Sequence, residues 1–463
     1  MFANLVSAIS NAMYGYILII ALVLGGLYFT FRSRFAQFRL LGAQFRAVTE
    51  KPKDGKGVSS FQALMVSTAS RVGTGNIIGV STAICLGGFG AVFWMWVIAI
   101  LGGAAAFAES TLAQIFKKRS QNGSYGGPAY YIEACFGSRV PGVIFSVLLI
   151  LTYGVGFNML TSYNLCSTFT IYEFASGRFT PWIIGFVVAV TVGYCLLGGG
   201  KRIIQITEYV VPVMGILYIL VALFIVVINA GLLPGIFRRI FREAFDFKAI
   251  FGGFGSSCVM YGIKRGLFSN EAGVGSAPNA AASADVSHPA KQGLVQVLSV
   301  FIDTLLICSA TAFMCLCSGI EPTPQLSGAP YVQLALRNAL GQFGPIFITV
   351  SMALFAFTTL LGNLFYVDKG ILYLLKRLPG KNAQICINIL SALIVWGGAV
   401  LSSDLLWNLA DITMGLMALI NVPVILILSK YAIGALKDFE AKGKGQTFKA
   451  EDIGLREKLD YWQ

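Results

Sequence analysis

Residues 264–279 read KRGLFSNEAGVGSAPN. The run sits in the middle of a very apolar chain, where an uninterrupted spanning helix would carry leucines. It carries instead Gly266, Gly273 and Gly275, a proline at Pro278, and the polar pair Asn270 and Glu271. Glycine and proline weaken a helix and leave backbone groups unpaired. In hydrocarbon each unpaired group is costly, so irregular backbone survives only where protein buries it or a cavity wets it. The run therefore marks a cavity. Residues 70–79, SRVGTGNIIG, have the same character. Two such interruptions at corresponding places in the two halves of a membrane protein point to a transporter's binding site.

The surrounding composition fixes the class. Of 463 residues, 56% are hydrophobic and 12% charged, whereas soluble domains are about a quarter charged. The apolar runs are near the length of a spanning helix, not the alternating segments of a barrel. An all-α polytopic membrane protein follows. The net charge of +13 lies in loops and tail, where it sets topology and gives no sign of nucleic-acid binding. Most of the nine cysteines lie within or beside apolar runs and none forms a CxxC, so they read as small buried hydrophobes. The single histidine, His288, cannot build a His-rich metal site and reads as the end of a helix on the cytoplasmic side. The start, MFANLVSAISNAM, lacks a basic region and a small-residue cleavage site, so no cleaved signal is expected.

Taken in order, the pattern predicts about eleven transmembrane helices. A lead helix near 14–31 and a basic loop make up residues 1–56. Helices 1 to 5 are expected near 61–86, 89–116, 140–171, 180–198 and 206–231, within a first unit spanning 57–231. An amphipathic segment, 232–250, lies on the outer surface. Helices 6 to 10 are expected near 251–284, 291–318, 344–368, 382–402 and 405–432, within a second unit spanning 251–432. The loop 120–139 and the region 330–340 read as short helices, and 433–463 as a cytoplasmic tail poor in apolar residues. The two five-helix units run in opposite directions and each opens on a broken helix, helices 1 and 6, which is an inverted repeat. Eighteen basic residues fall in the loops this scheme places inside and six in those it places outside. The bias puts the N-terminus outside and the C-terminus in the cytoplasm of an inner (plasma) membrane protein.

SRVGTGNIIGVSTAICLGGFGAVFWMW, FAESTLA, GGPAYYI and GLFSNEAGVGSAPNAAA with HPAKQGLVQ resemble the alanine/glycine:cation symporter family. The resemblance covers most of the membrane region. It implies the leucine-transporter fold of the amino acid-polyamine-cation superfamily, with a five-plus-five inverted repeat and substrate at the breaks of helices 1 and 6. It also implies a sodium ion between helices 1 and 8. The function implied is sodium-coupled import of small neutral amino acids by alternating access, with no organic cofactor and a monomer in the lipid bilayer. Two places depart from the family's pattern. In FNMLTSY, Thr161 and Tyr163 stand where Gln and Asn are usual, and in TTLLGNLFYVD, Asn363 stands where many members have Trp.

On this reading Thr74, Gly75 and Asn76 line the substrate at the first break. Phe268, Ser269 and Asn270 line it at the second, and Phe157, Asn158 and Thr161 face it from helix 3. A free amino acid needs donors for its carboxylate and acceptors for its ammonium, which helix ends and freed carbonyls supply. Sodium prefers oxygen ligands, by analogy with other hard cations. Thr358, Thr359 and the carbonyls of Ala69, Val72 and Phe355 would make its site, although a threonine in a helix also bonds back to its own turn. Arg71, Glu109, Glu271 and Asp303 are ionisable within the membrane, where pairing or a gating role is expected. Glu271 is expected to pair with Arg71. Proton coupling through Glu109 or Asp303, or transport of a larger neutral amino acid, remains an alternative. No His, Cys or acidic cluster at one membrane face suggests an enzyme, and no filter repeat suggests a channel.

Overall fold

The computed structural model describes residues 2–52, 57–120, 123–175, 177–253, 257–377, 379–442, 448–455 and 459–462. Lys53 and Lys56 of the basic loop lie outside the described residues. Among those described, seven helices are long and apolar enough to cross a membrane: Val6–Arg32, Gly90–Ile115, Arg139–Ser167, Gly199–Ile228, Pro289–Leu316, Phe343–Leu375 and Ser403–Ile427. They are the lead helix and helices 2, 3, 5, 7, 8 and 10. Helix 4 is the shorter Thr180–Leu196 and helix 9 is Lys381–Gly398. Helix 1 comprises Ser60–Arg71 and, past a gap, Gly75–Gly87. Helix 6 comprises Cys258–Asn270 and, past a longer gap, Pro278–Ala281.

The packing reveals the relation between the halves. Helix 1 touches helix 6, helix 2 touches helix 7, helix 3 touches helix 8 and helix 4 touches helix 9. Each is a pair of equivalent positions in the two units, a pattern consistent with an axis between inverted repeats. Helix 1 also lies against helices 5 and 8, so both of its sides are covered.

Local chemistry accounts for the ends. Ser59 and Gln62 form a reciprocal capping box at the start of helix 1, satisfying donors that a helix start leaves open. The amphipathic helix, Leu233–Ala244, sends Glu243 to the Phe89 amide at the start of helix 2, at 2.6 Å. Its Arg239 pairs with Glu243 and with Glu321, so one of the bases that ran against the topology count carries its own counter-charges.

Three features differ from the sequence reading. The lead helix starts at Phe2 rather than near residue 14, passing through a π-type turn at Met13–Ile17. Residues 118–136 hold a two-stranded hairpin, Lys118–Ser120 with Gly123–Tyr125, before the helix Pro128–Phe136. The tail does not trail away: helix 10 is followed by Ser429–Lys442, and Phe448, Leu455, Leu459 and Trp462 are buried. Those four apolar residues are spread too thinly for a periodic signal, but tertiary contact collects them.

Candidate functional site

The first break is short. Helix 1 closes with the Val72 amide on Thr68 O, and Val72 itself leaves helical geometry (φ −75°, ψ 85°). The Asn76 side chain then reaches back to the Gly73 amide at 2.8 Å, the back-bond of a helix start. Beside it Thr359 of helix 8 donates to Ala69 O at 3.1 Å. Thr358, one residue earlier, bonds Phe355 O, also at 3.1 Å, and its hydroxyl lies 3.5 Å from Met214 Sδ of helix 5. These oxygens, with the Val72 carbonyl at the point where the helix unwinds, belong to buried residues on two touching helices. Glycines allow the approach. A Cβ at Gly73 would collide with Thr359 Oγ1, and one at Gly362 would meet the Ser70 backbone at 2.7 Å. The set is oxygen-only and lacks charge, which suits a monovalent hard cation.

The second break is long and tied down. Glu271, Gly273 and Gly275 take left-handed backbone, with φ of 52°, 80° and 89°. Glu109 of helix 2 accepts from the Gly273 amide at 3.3 Å and from Asn421 Nδ2 at 2.8 Å, while Asn421 also donates to Gly273 O. Tyr131 donates to Asn421 at 2.5 Å. Glu271 accepts from Ser276 at 2.6 Å, and its other oxygen lies 3.2 Å from the Ser70 hydroxyl.

Between the breaks lies an aromatic stack. Phe268 sits 4.6 Å from Phe157 and 4.7 Å from Trp407, centroid to centroid. Gly75 faces the Phe268 ring, where a Cβ would come within 2.9 Å. Arg265 lies over Trp407 at 4.1 Å, and with Lys264 it pairs with buried Asp411. Above this stack opens a vestibule of about 660 Å³, whose lining includes Ile78, Tyr163, Asn164, Arg265, Trp407 and Asp404. At its floor Asn164 donates to Thr74 at 3.1 Å.

The structure sorts the residues singled out from sequence. Thr74, Gly75, Phe157 and Phe268 do not line the vestibule but sit one layer behind it: Thr74 is bonded to the lining residue Asn164, and Phe268, which touches Gly75 and Phe157, stacks on the lining residue Trp407. Asn158 is linked to Asn363 (3.0 Å), and Asn363 to Ser70 (2.7 Å), beside Glu271. Thr161 is buried on the same helix. Asn76 and Ser269 turn elsewhere: both donate to Asp303 of helix 7, at 2.7 and 2.8 Å. Asn270 accepts from the Ala272 amide within the break. The expected Arg71–Glu271 ion pair does not form. Arg71 is buried and donates to Gln296 at 3.0 Å, while the carboxylate takes hydroxyl donors instead. Serines on the neighbouring backbone reach Glu271 more easily than a long side chain pulled toward helix 7.

Sequence reasoning missed Asn164, Ser70 and Trp407. Asn164 stands one place beyond the position where the family's pattern puts an asparagine, a signal visible in the run itself. Ser70 opens the first glycine-rich stretch. Trp407 carried no local signal, because only the crossing of helices 6 and 10 sets it on Phe268.

A profile of the sodium:alanine symporter family matches residues 1–452. The amino-acid carrier protein AlsT of Bacillus subtilis is 42% identical, over 100% of this chain and 98% of its own length. The probable sodium/glutamine symporter GlnT of the same organism is 41% identical, over 99% and 96%. The sodium/alanine symporter AgcS of Methanococcus maripaludis is 35% identical, over 96% and 99%. Among solved structures, MhsT in complex with L-phenylalanine superposes with a TM-score of 0.59 at 15% identity, over 84% of this chain and 93% of that one. That likeness is one of fold, the leucine-transporter fold.

Proposed function

The chain belongs to the sodium:alanine symporter family, a family of transporters, and from that premise we propose that it is a sodium-coupled symporter importing small neutral amino acids. That it is a multi-pass membrane protein carrying amino acids in symport stands on the family and the helices. The ion, the substrate and the direction are our reading. Its main support is one juxtaposition: the threonine–carbonyl oxygens of helices 1 and 8 abut the same break that carries Thr74 and Gly75. A cation bound there would brace the unwound turn that receives the substrate, so each ligand would favour the other.

In this reading Thr74, Asn164 and the freed backbone of the first break take the polar ends of the amino acid, and Phe157 and Phe268 meet its side chain. Asn158, Gly75 and Thr161 complete the pocket. Asn76, Ser269 and Asn270 hold the shape of the breaks. Ala69, Val72, Phe355, Thr358 and Thr359 hold sodium. The vestibule faces outside, as does the N-terminus, and the tail lies in the cytoplasm. A side chain somewhat larger than a methyl also has support: the 41%-identical relative is named for glutamine, and Thr161 is shorter than the usual Gln.

Uptake of radiolabelled alanine into proteoliposomes tests the reading, with sodium and proton gradients imposed separately. Accumulation driven by the sodium gradient alone is expected. Accumulation driven only by the proton gradient would overturn the sodium assignment, and failure of alanine to enter or compete would overturn the substrate.

A further inference from the structure

On the face opposite the vestibule, the two broken helices meet. The Asp285 amide donates to Val58 O at 2.9 Å, making a one-residue parallel bridge between Val58, just before helix 1, and Ala284, just after helix 6. The bridge joins the segment that opens helix 1 to the one that closes helix 6, so a path to this face that runs between those segments must part it. The bridge alone is a single backbone hydrogen bond, worth little net.

The end of the chain is built onto that bridge. Tyr461 donates to Asp285 Oδ1 at 2.9 Å, and Trp462 donates through Nε1 to Gln114 O at 2.7 Å. Gln114 and Lys117, at the end of helix 2, donate in turn to Ala284 O at 3.0 and 2.8 Å. The Lys117 ammonium sits 3.7 Å from the Tyr461 ring centroid, a cation–π contact that gains strength out of water. Trp462 stacks edge-on with Phe448, and Phe448 with His288. So the tail ties helix 2 to the segment that leads from helix 6 into helix 7. The family profile ends at residue 452, before Tyr461 and Trp462.

We infer that residues 459–462 are an intramolecular latch, which holds the tail face shut by clamping the Val58–Ala284 bridge and must release for substrate to leave on that side. The inference rests on the proposed reading only for the direction of exit. These contacts fix the Ala284–Asp285 side of the bridge to helix 2, so they oppose any opening in which that segment moves away from helix 2. An intramolecular clamp of this size sets the population of the open state without touching either ligand.

The test uses the full chain in nanodiscs, which leave both faces accessible and make orientation irrelevant. Ser283 is buried beneath the bridge. It is replaced by cysteine in a background where the more accessible Cys135 and Cys386 are serine. The rate of maleimide labelling at position 283 reports opening. Tyr461→Phe with Trp462→Phe should raise that rate about tenfold, the effect of two hydrogen bonds in such an equilibrium. Tyr461→Phe alone keeps the ring over Lys117 and should raise it about threefold. This milder variant keeps the question answerable if the double one misfolds. Unchanged labelling in folded protein of unchanged melting temperature would overturn the latch. Labelling needs no transported substrate, so sodium-driven uptake with unchanged labelling sinks the latch alone. Raised labelling without alanine uptake sinks the functional reading alone.

Discussion

The two helix breaks look alike in sequence and differ in construction. The first uses no left-handed residue, and the side chains that bond its backbone are Asn76 at the Gly73 amide and Thr359 at Ala69 O, with Asn164 on the Thr74 hydroxyl. The second needs left-handed backbone at positions 271, 273 and 275 and is pinned by Glu109, Asn421, Tyr131, Ser276 and Asn279. A lightly held turn rearranges at small expense, whereas a strained and over-determined one persists. The comparison assigns the working motion to the first break and the scaffold to the second, and mutations can separate the two.

The largest effect is expected at the scaffold. Gly275→Ala puts a Cβ on left-handed backbone, 2.8 Å from the Phe145 ring and 3.0 Å from Pro128. Strain and overpacking together should destabilise by about 2–4 kcal/mol, seen as loss of monodisperse protein in size-exclusion chromatography. A normal yield and melting temperature would break the claim that the second break is rigid.

At the first break the expected loss is of function. Thr358→Val with Thr359→Val keeps shape and removes both hydroxyls. Sodium-driven uptake should vanish while the elution profile stays that of the parent. If the double variant keeps the parent's sodium dependence, the cation sits elsewhere.

A smaller and sharper contrast comes from one substitution on each side. Glu109→Gln replaces one of the two oxygens that accept from the Gly273 amide and from Asn421 with a donor, and should cost about 1–3 kcal/mol of stability, with little change in the KM for alanine. Asn76→Ala removes the back-bond at Gly73, about 1 kcal/mol, together with the donor to Asp303, and should shift KM and sodium dependence where Glu109→Gln does not. Thermal unfolding and uptake kinetics on the same preparations give both numbers, and the reverse pattern would invert the assignment of the two breaks.

The smallest effect is on choice of substrate. Thr161→Gln fills space on helix 3 and should narrow competition toward glycine and alanine, by about 1–3 kcal/mol for a side chain one methylene too large. An unchanged competition profile across a panel of amino acids would remove Thr161 from the pocket.

Sequence alone determined much of this protein. Hydropathy placed the spanning segments because hydrocarbon demands that each backbone bond be closed within its own helix. The glycines at 73, 75, 273 and 275 announced the two breaks for the same reason. Their position at the head of each half announced the inverted repeat, and the GLFSNEAGVGSAP run pointed to the family. What the tertiary structure decided is where the polar side chains at the breaks point. Asn76 and Ser269 turn to Asp303 rather than toward the vestibule, and Glu271 takes hydroxyls rather than Arg71. Asn164, not its neighbour at position 163, reaches Thr74. Trp407 closes over Phe268, and the tail folds back on the Val58–Ala284 bridge. Burial obeys a rule of composition that any single segment reveals. The partner of a buried polar group depends on which helices cross nearby and at what rotation, and that information is spread over residues hundreds of positions apart.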